Sequence, residues 1–89
     1  MLKFKLKILN DRGLHARASA KFVETVESFD AKCEVSKANM CVSGDSIMGL
    51  LMLAASKGSY INVKAWGKDA DLLADAIKRL IYARFQEDC

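Results

Sequence analysis

Proline is absent from this chain of 89 residues, which also has a single histidine and only five glycines. No stretch is rich in proline, glycine or serine, and no internal repeat is visible, so nothing marks a linker between domains. A chain of this length with 52% hydrophobic residues can furnish one core. We therefore predict a single domain over residues 1–89.

The amino-terminal segment has no long apolar run, because apolar and charged residues alternate there. A signal peptide and a membrane-spanning helix both require an uninterrupted apolar stretch. The expectation is a cytoplasmic protein without membrane insertion.

Cysteine is scarce, and Cys33, Cys41 and Cys89 do not have the spacing of metal ligands. A lone histidine cannot complete a zinc site of the usual kinds, so we expect no metal, no cofactor and reduced thiols. The net charge of +3 comes from 14 basic and 11 acidic residues, too small and dispersed an excess to predict nucleic-acid binding. Acidic protein partners remain compatible with it.

The first seven residues after Met1 have the pattern of a strand with one solvated face. Leu2, Phe4, Leu6 and Ile8 share one side, and lysines at 3, 5 and 7 share the other. Such a lysine row is most simply a solvated face that discourages pairing at a sheet edge, and no site is assigned to it.

The remaining periodicities predict elements of alternating type. We expect a helix over 16–28, strands over 31–37 and 40–43 joined across Ala38-Asn39, a short helix from Ser46 to about Leu53, a strand over 60–66 and a last helix after Asp69. Asparagine tolerates left-handed turn conformations, and Ser46 is a natural N-cap. The order βαββαβα implies helices on one face of an antiparallel sheet, although ferredoxin-like and other two-layer modules also fit.

The histidine lies in the run Gly-Leu-His-Ala-Arg-Ala at 13–18, where a glycine turn delivers His15 to the start of the first helix. Helix starts offer unpaired N–H groups and the positive end of the dipole, so an anion is favoured there. Arg17 supplies a second cation that can hold phosphoryl oxygens. A lone histidine is usually a surface or capping residue, but these neighbours favour a phosphoryl acceptor.

This run resembles the active-site signature Gly-Leu-His-Ala/Thr-Arg-Pro-Ala of the histidine-containing phosphocarrier (HPr) family of the bacterial phosphotransferase system. Ser-Ile-Met-Gly at 46–49 with the leucines after it, and the segment 54–63, resemble the family's second helix and its turn into the last strand. The resemblance covers nearly the whole chain. It implies an α+β, open-faced two-layer β-sandwich with a four-stranded antiparallel sheet and three helices on one face.

The resemblance also implies a role as a carrier rather than an enzyme. A phosphoenolpyruvate-dependent enzyme I would phosphorylate His15, assisted by Arg17, and the phosphoryl group would pass to an enzyme IIA protein. The chain would act as a monomer without a cofactor.

A second functional region follows from the same resemblance. The family's docking surface maps onto Ile47, Met48, Leu51 and Met52, and we expect Ile47 and Met48 to be exposed, with Leu51 and Met52 either exposed or in the core. Ser46 aligns with the serine that HPr kinase/phosphorylase modifies in some branches of the family to block transfer at the histidine. The alternative is that Ser46 only caps its helix, since Asp45 beside it opposes a phosphate.

Two positions depart from the family signature. Ala18 replaces a proline, which is tolerable because alanine forms helices well, and Arg12 replaces an asparagine common in relatives and adds a cation. Together with the leucine-rich second helix, these changes favour the regulatory, nitrogen-related branch.

Two other classes of function stay open. A non-phosphorylated docking module with the same fold would not need His15. A generic ligand-binding or RNA-binding module would need exposed aromatics on its strands, for which Tyr60 and Trp66 alone give little support.

Overall fold

The computed structural model of the protein describes residues 1–86, so the reduced thiol predicted at Cys89 lies outside the described residues. The elements are β1 (Leu2–Lys7), α1 (Ala16–Glu27), β2 (Lys32–Lys37), β3 (Met40–Ser43), α2 (Ile47–Met52), β4 (Tyr60–Trp66) and α3 (Ala70–Tyr82). A 3-10 turn over Arg84–Gln86 follows α3. The predicted order βαββαβα is confirmed.

The strands form one antiparallel sheet in the order β1-β4-β2-β3. Phe4 of β1 and Val35 of β2 both pair with Val63 of the central strand β4, so these apolar residues share one face. The three helices cover that face, and the other face is open. The predicted open-faced sandwich is confirmed.

The core lies between the helices and the covered face of the sheet. Phe22, Leu50, Leu73 and Ile77 are completely buried at their helical spacing, and Leu53 is nearly so. Burying a large apolar side chain contributes about 1.5–3 kcal/mol, so this layer holds the helices on the sheet. Leu50 and Leu53 thus anchor α2 to the core.

The β2–β3 hairpin corrects one detail of the sequence prediction. Lys37 pairs with Met40, and the left-handed residue is Ala38, with φ 54°, rather than Asn39. Two-residue hairpin loops of the favoured types require a positive φ at their first central residue, which here is alanine. Loop geometry therefore prevails over the tolerance of the asparagine side chain.

The sequence patterns do not predict the structure of the segment after α3. Phe85 is completely buried, and residues 84–86 have φ between 54° and 60°, so the chain turns sharply and returns the ring to the core. The Nζ of Lys21 donates to the carbonyl of Phe85 at 2.7 Å and ties this turn to α1. Left-handed turns usually contain glycine or asparagine, and neither is present here.

Candidate functional site

A tightly constrained loop carries the chain from β1 to His15. Asn10, which is buried, donates from its side-chain Nδ2 to the carbonyl of Gly13 at 2.8 Å, and the N–H of Gly13 donates to the Asn10 carbonyl at 3.2 Å. Gly13 has a φ of 66°, and a Cβ at this position would collide with the carbonyl of Ala55. Glycine is required here because of both the backbone conformation and the close approach.

The next residue fastens this loop to the segment after α2. The N–H of Leu14 donates to the carbonyl of Ala55 at 2.9 Å, and the Leu14 side chain is buried. The position of His15 is therefore set by the packed body of the protein.

His15 is the N-cap residue of α1, with φ −78° and ψ −177°, and its side chain is half-buried. It makes no side-chain capping hydrogen bond, while its carbonyl accepts the N–H of Ser19 at 2.8 Å. The N–H groups of residues 16–18 precede this first helical bond and lie at the positive end of the helix dipole. An anion on the imidazole would thus face both donors and a favourable field.

The first turn of α1 separates a packed side from an accessible side. Ala18 and Ser19 are completely buried, and the Oγ of Ser19 donates to the Leu14 carbonyl at 3.3 Å. Arg17 is exposed. The helix forms with alanine at position 18, as expected from its high helix propensity.

Further cations surround the loop. Arg12 is exposed, and the Nζ of Lys57 forms an ion pair with Asp11 at 2.8 Å. The pKa of Asp11 is lowered by its hydrogen bond and charge interaction with Lys57, and also by the charge of Arg84. Sequence analysis identified Arg12 and Arg17 but not Lys57 and Arg84, which the fold brings there from distant parts of the chain.

Ser46 is the N-cap of α2, as predicted. Its Oγ accepts the N–H of Gly49 at 3.0 Å, and its carbonyl accepts the N–H of Leu50 at 3.0 Å. The neighbouring Asp45 accepts a hydrogen bond from the Ser43 hydroxyl at 2.5 Å. The Ser46 hydroxyl is therefore already engaged in holding the helix start, close to a carboxylate.

Helix α2 presents a row of apolar side chains to solvent. Ile47 is 40% exposed, Met48 69% and Met52 63%, whereas Leu51 is half-buried. The expected exposure of Ile47 and Met48 is confirmed, and of the two undecided residues Met52 is exposed and Leu51 only partly so. Since α2 packs against α1, this surface belongs to the same layer as the His15 helix.

Comparisons with known proteins agree with this geometry. The family model described as "PTS HPr component phosphorylation site" matches residues 2–83. The phosphocarrier protein HPr of Neisseria meningitidis serogroup A is 45% identical over 87 residues, which is 98% of each chain.

The chain belongs to the HPr family of phosphocarrier proteins.

The phosphocarrier protein NPr of Shewanella violacea is also similar, at 38% identity over 97% of this chain and 94% of its own. The crystal structure of HPr-C-His from Thermoanaerobacter tengcongensis superposes with a TM-score of 0.94 at 36% identity, and covers all of both chains. As the family name states, these proteins carry a phosphoryl group within the phosphotransferase system.

Residues 1–86 contain no group of three or more histidine, cysteine or acidic side chains placed to hold a metal ion. Burial raises the pKa of the Cys33 thiol to about 12, which makes it a poor nucleophile. Cys33 and Cys41 are both free thiols. None of the helices in this part of the chain has the length and apolar character needed to cross a membrane.

Proposed function

We propose that His15 accepts a phosphoryl group from an enzyme I protein and passes it to an enzyme IIA protein. The observation that carries this proposal is the position of His15, which is the N-cap residue of α1 and directly precedes the N–H groups of residues 16–18. These N–H groups lie before the first helical hydrogen bond, so they can hold the oxygens of a phosphoryl group on the imidazole.

The transfer proceeds by in-line displacement at phosphorus. A lone-pair nitrogen of neutral His15 attacks the phosphorus, the bond to the donor group breaks, and the donor leaves with that electron pair. The three phosphoryl oxygens are then held by the first N–H groups of α1 and by Arg17. Transfer to the acceptor repeats the displacement in the other direction, so catalysis is mainly positioning and charge stabilisation at a transient interface.

Partner docking uses Ile47, Met48, Leu51 and Met52. Met48 and Met52 are largely exposed and Ile47 is partly exposed, although α2 has a core to pack on. Methionine adapts to differently shaped surfaces, as a carrier with a donor and an acceptor requires.

Phosphorylation of Ser46 by an HPr kinase/phosphorylase would regulate this docking. A phosphate there would place negative charge next to exposed Ile47 and Met48, and would disfavour an apolar interface. The test is incubation with the kinase and ATP, followed by mass spectrometry of the peptide that contains Ser46. An unmodified peptide would remove regulation and leave Ser46 as a helix cap.

The whole chain, residues 1–89, would act as a single monomeric phosphocarrier domain in the cytoplasm. The departures at Arg12 and Ala18 favour a nitrogen-type IIA protein as the acceptor. The phosphorylated protein is offered to nitrogen-type and sugar-type IIA proteins at equal concentration. Faster transfer to the nitrogen type supports this branch, and preference for the sugar type contradicts it.

The carrier function itself is tested in two steps. Enzyme I and phosphoenolpyruvate should phosphorylate the protein, and the phosphoryl group should then pass to a nitrogen-type or a sugar-type IIA protein. If a folded protein accepts no phosphoryl group, the fold serves as a docking module in which His15 is dispensable.

A further inference from the structure

The sheet face that the helices leave open carries five lysines, here called the lysine face. These lysines lie on three strands. They share one side of the sheet because, along each strand, they alternate with residues that point to the covered face. They are Lys3, Lys5 and Lys7 of β1, Lys32 of β2 and Lys64 of β4.

The positive charge of this face is almost unbalanced. Glu34, which pairs with Lys64, is the one carboxylate among the strand residues of this face, and it accepts a hydrogen bond from the Cys41 thiol at 3.0 Å. None of the five lysines forms an ion pair with a carboxylate of residues 1–86. The face therefore projects a positive potential.

The strand register brings two of these lysines directly opposite each other. Lys3 pairs with Lys64, and like charges in that arrangement destabilise a sheet. Protection of the sheet edge explains lysines on edge strand β1, but not Lys64 and Lys32, which lie on the inner strands β4 and β2. This like-charge pair joins edge strand β1 to inner strand β4, and Glu34, the single carboxylate beside it, leaves a net positive charge that an anionic ligand would offset.

The lysine face also has a shape that admits a ligand. A shallow depression of about 450 Å³ is lined by three of the lysines together with one carboxylate and smaller polar side chains, namely Lys3, Lys5, Lys64, Glu34, Ser36, Asn62 and Cys41. Three positive charges against one negative charge leave the depression suited to an anion. Alternate residues of a strand are about 7 Å apart, so extended polypeptide with acidic side chains at every second position has matching charge spacing.

The aromatic residues of this face favour a protein ligand over a nucleic acid. The ammonium groups of Lys5 and Lys7 lie 5.5 and 6.0 Å from the centre of the Tyr60 ring. Cations over the ring compete with the base stacking by which single strands bind.

We propose that the lysine face binds an acidic, extended segment of a partner protein. The lysine face lies on the opposite side of the sheet from α2. A segment bound there would leave Met48 accessible, so this contact is separate from the docking that phosphoryl transfer requires. Its test reports on binding alone and does not depend on whether His15 is phosphorylated.

The probe is a peptide of alternating glutamate and threonine, about ten residues long. It is titrated into the isotopically labelled full chain at low ionic strength, and backbone amide shifts are followed. The shifts are expected on β1 and β4 and not on α2. The double variant Lys3→Gln/Lys64→Gln should weaken binding about tenfold and leave the thermal midpoint unchanged or higher, because it removes the like-charge pair.

The matched control is Lys68→Gln/Arg79→Gln, which removes the same charge at exposed positions outside the sheet. It should keep the affinity within about twofold of wild type. Equal weakening by both double variants, or shifts absent from β1 and β4, would overturn the proposal. If oligothymidylate or phosphatidylglycerol vesicles bind more tightly than the peptide, the proposal that the ligand is a protein segment is overturned.

Discussion

The N–H of Leu14 donates to the carbonyl of Ala55 at 2.9 Å, and this bond joins the residue before His15 to the segment that follows α2. The proposed phosphorylation site and the proposed docking helix are therefore fixed relative to each other by a backbone contact. Gly13 permits this approach, because any Cβ there would collide with the Ala55 carbonyl.

Gly13→Ala should destabilise the protein by at least about 3 kcal/mol, because the variant combines a strained positive φ with a backbone collision. The control is Gly58→Ala, at a glycine with φ 89° but open space where the Cβ would lie. It should cost only about 1 kcal/mol. Chemical denaturation of both variants measures the difference, and equal losses would show that the contact with Ala55 is unimportant.

Arg17→Lys should lower the kcat/KM of enzyme I for this carrier about tenfold, because an ammonium group cannot replace the two-pronged contact of a guanidinium group with phosphoryl oxygens. Arg79→Lys, at an exposed position on α3, is the matched control and should not change it. A wild-type rate for Arg17→Lys would mean that this side chain does not contact the phosphoryl group.

Met48→Ala should raise the KM of enzyme I while the free energy of unfolding changes by less than about 0.5 kcal/mol, since the side chain is 69% exposed. Leu50→Ala on the same helix removes a completely buried side chain and should cost about 2–5 kcal/mol. Steady-state kinetics and urea denaturation separate the two effects. A large loss of stability in Met48→Ala would assign this residue to the core.

Ser46→Ala should reduce stability by about 1 kcal/mol, because the N–H of Gly49 loses its acceptor at 3.0 Å. Ser46→Asp keeps an acceptor at the N-cap and adds a negative charge beside the apolar surface. It should retain stability yet slow phosphorylation by enzyme I. If Ser46→Asp is phosphorylated as fast as wild type, charge at this position does not control docking.

Much of the fold could be predicted because its signals are local. Alternation marked β1 and β4, helical spacing marked α1 and α3, and a serine before an apolar run marked the start of α2. The residues that escaped prediction depend on distant parts of the chain or on backbone conformations without a sequence signal. Phe85 returns to the core through a left-handed turn that contains no glycine, and the left-handed residue of the hairpin is an alanine.

Asp69 illustrates the same limit. Its position suited the start of α3, but its carboxylate accepts the N–H of Asp30 at 2.8 Å and joins two loops instead of capping the helix. In the site, His15, Arg17 and Ser46 could be identified from contiguous motifs. Lys57 and Arg84 could not, because only the folded chain places their charges near Asp11.

The central claim is tested most directly by treating wild type and His15→Ala with enzyme I and phosphoenolpyruvate and measuring intact mass at neutral pH, where phosphohistidine survives. Circular dichroism first establishes that both proteins are folded. We predict the mass of one added phosphoryl group on wild type and none on His15→Ala. Addition to both proteins would place the acceptor elsewhere, and addition to neither would contradict the carrier function.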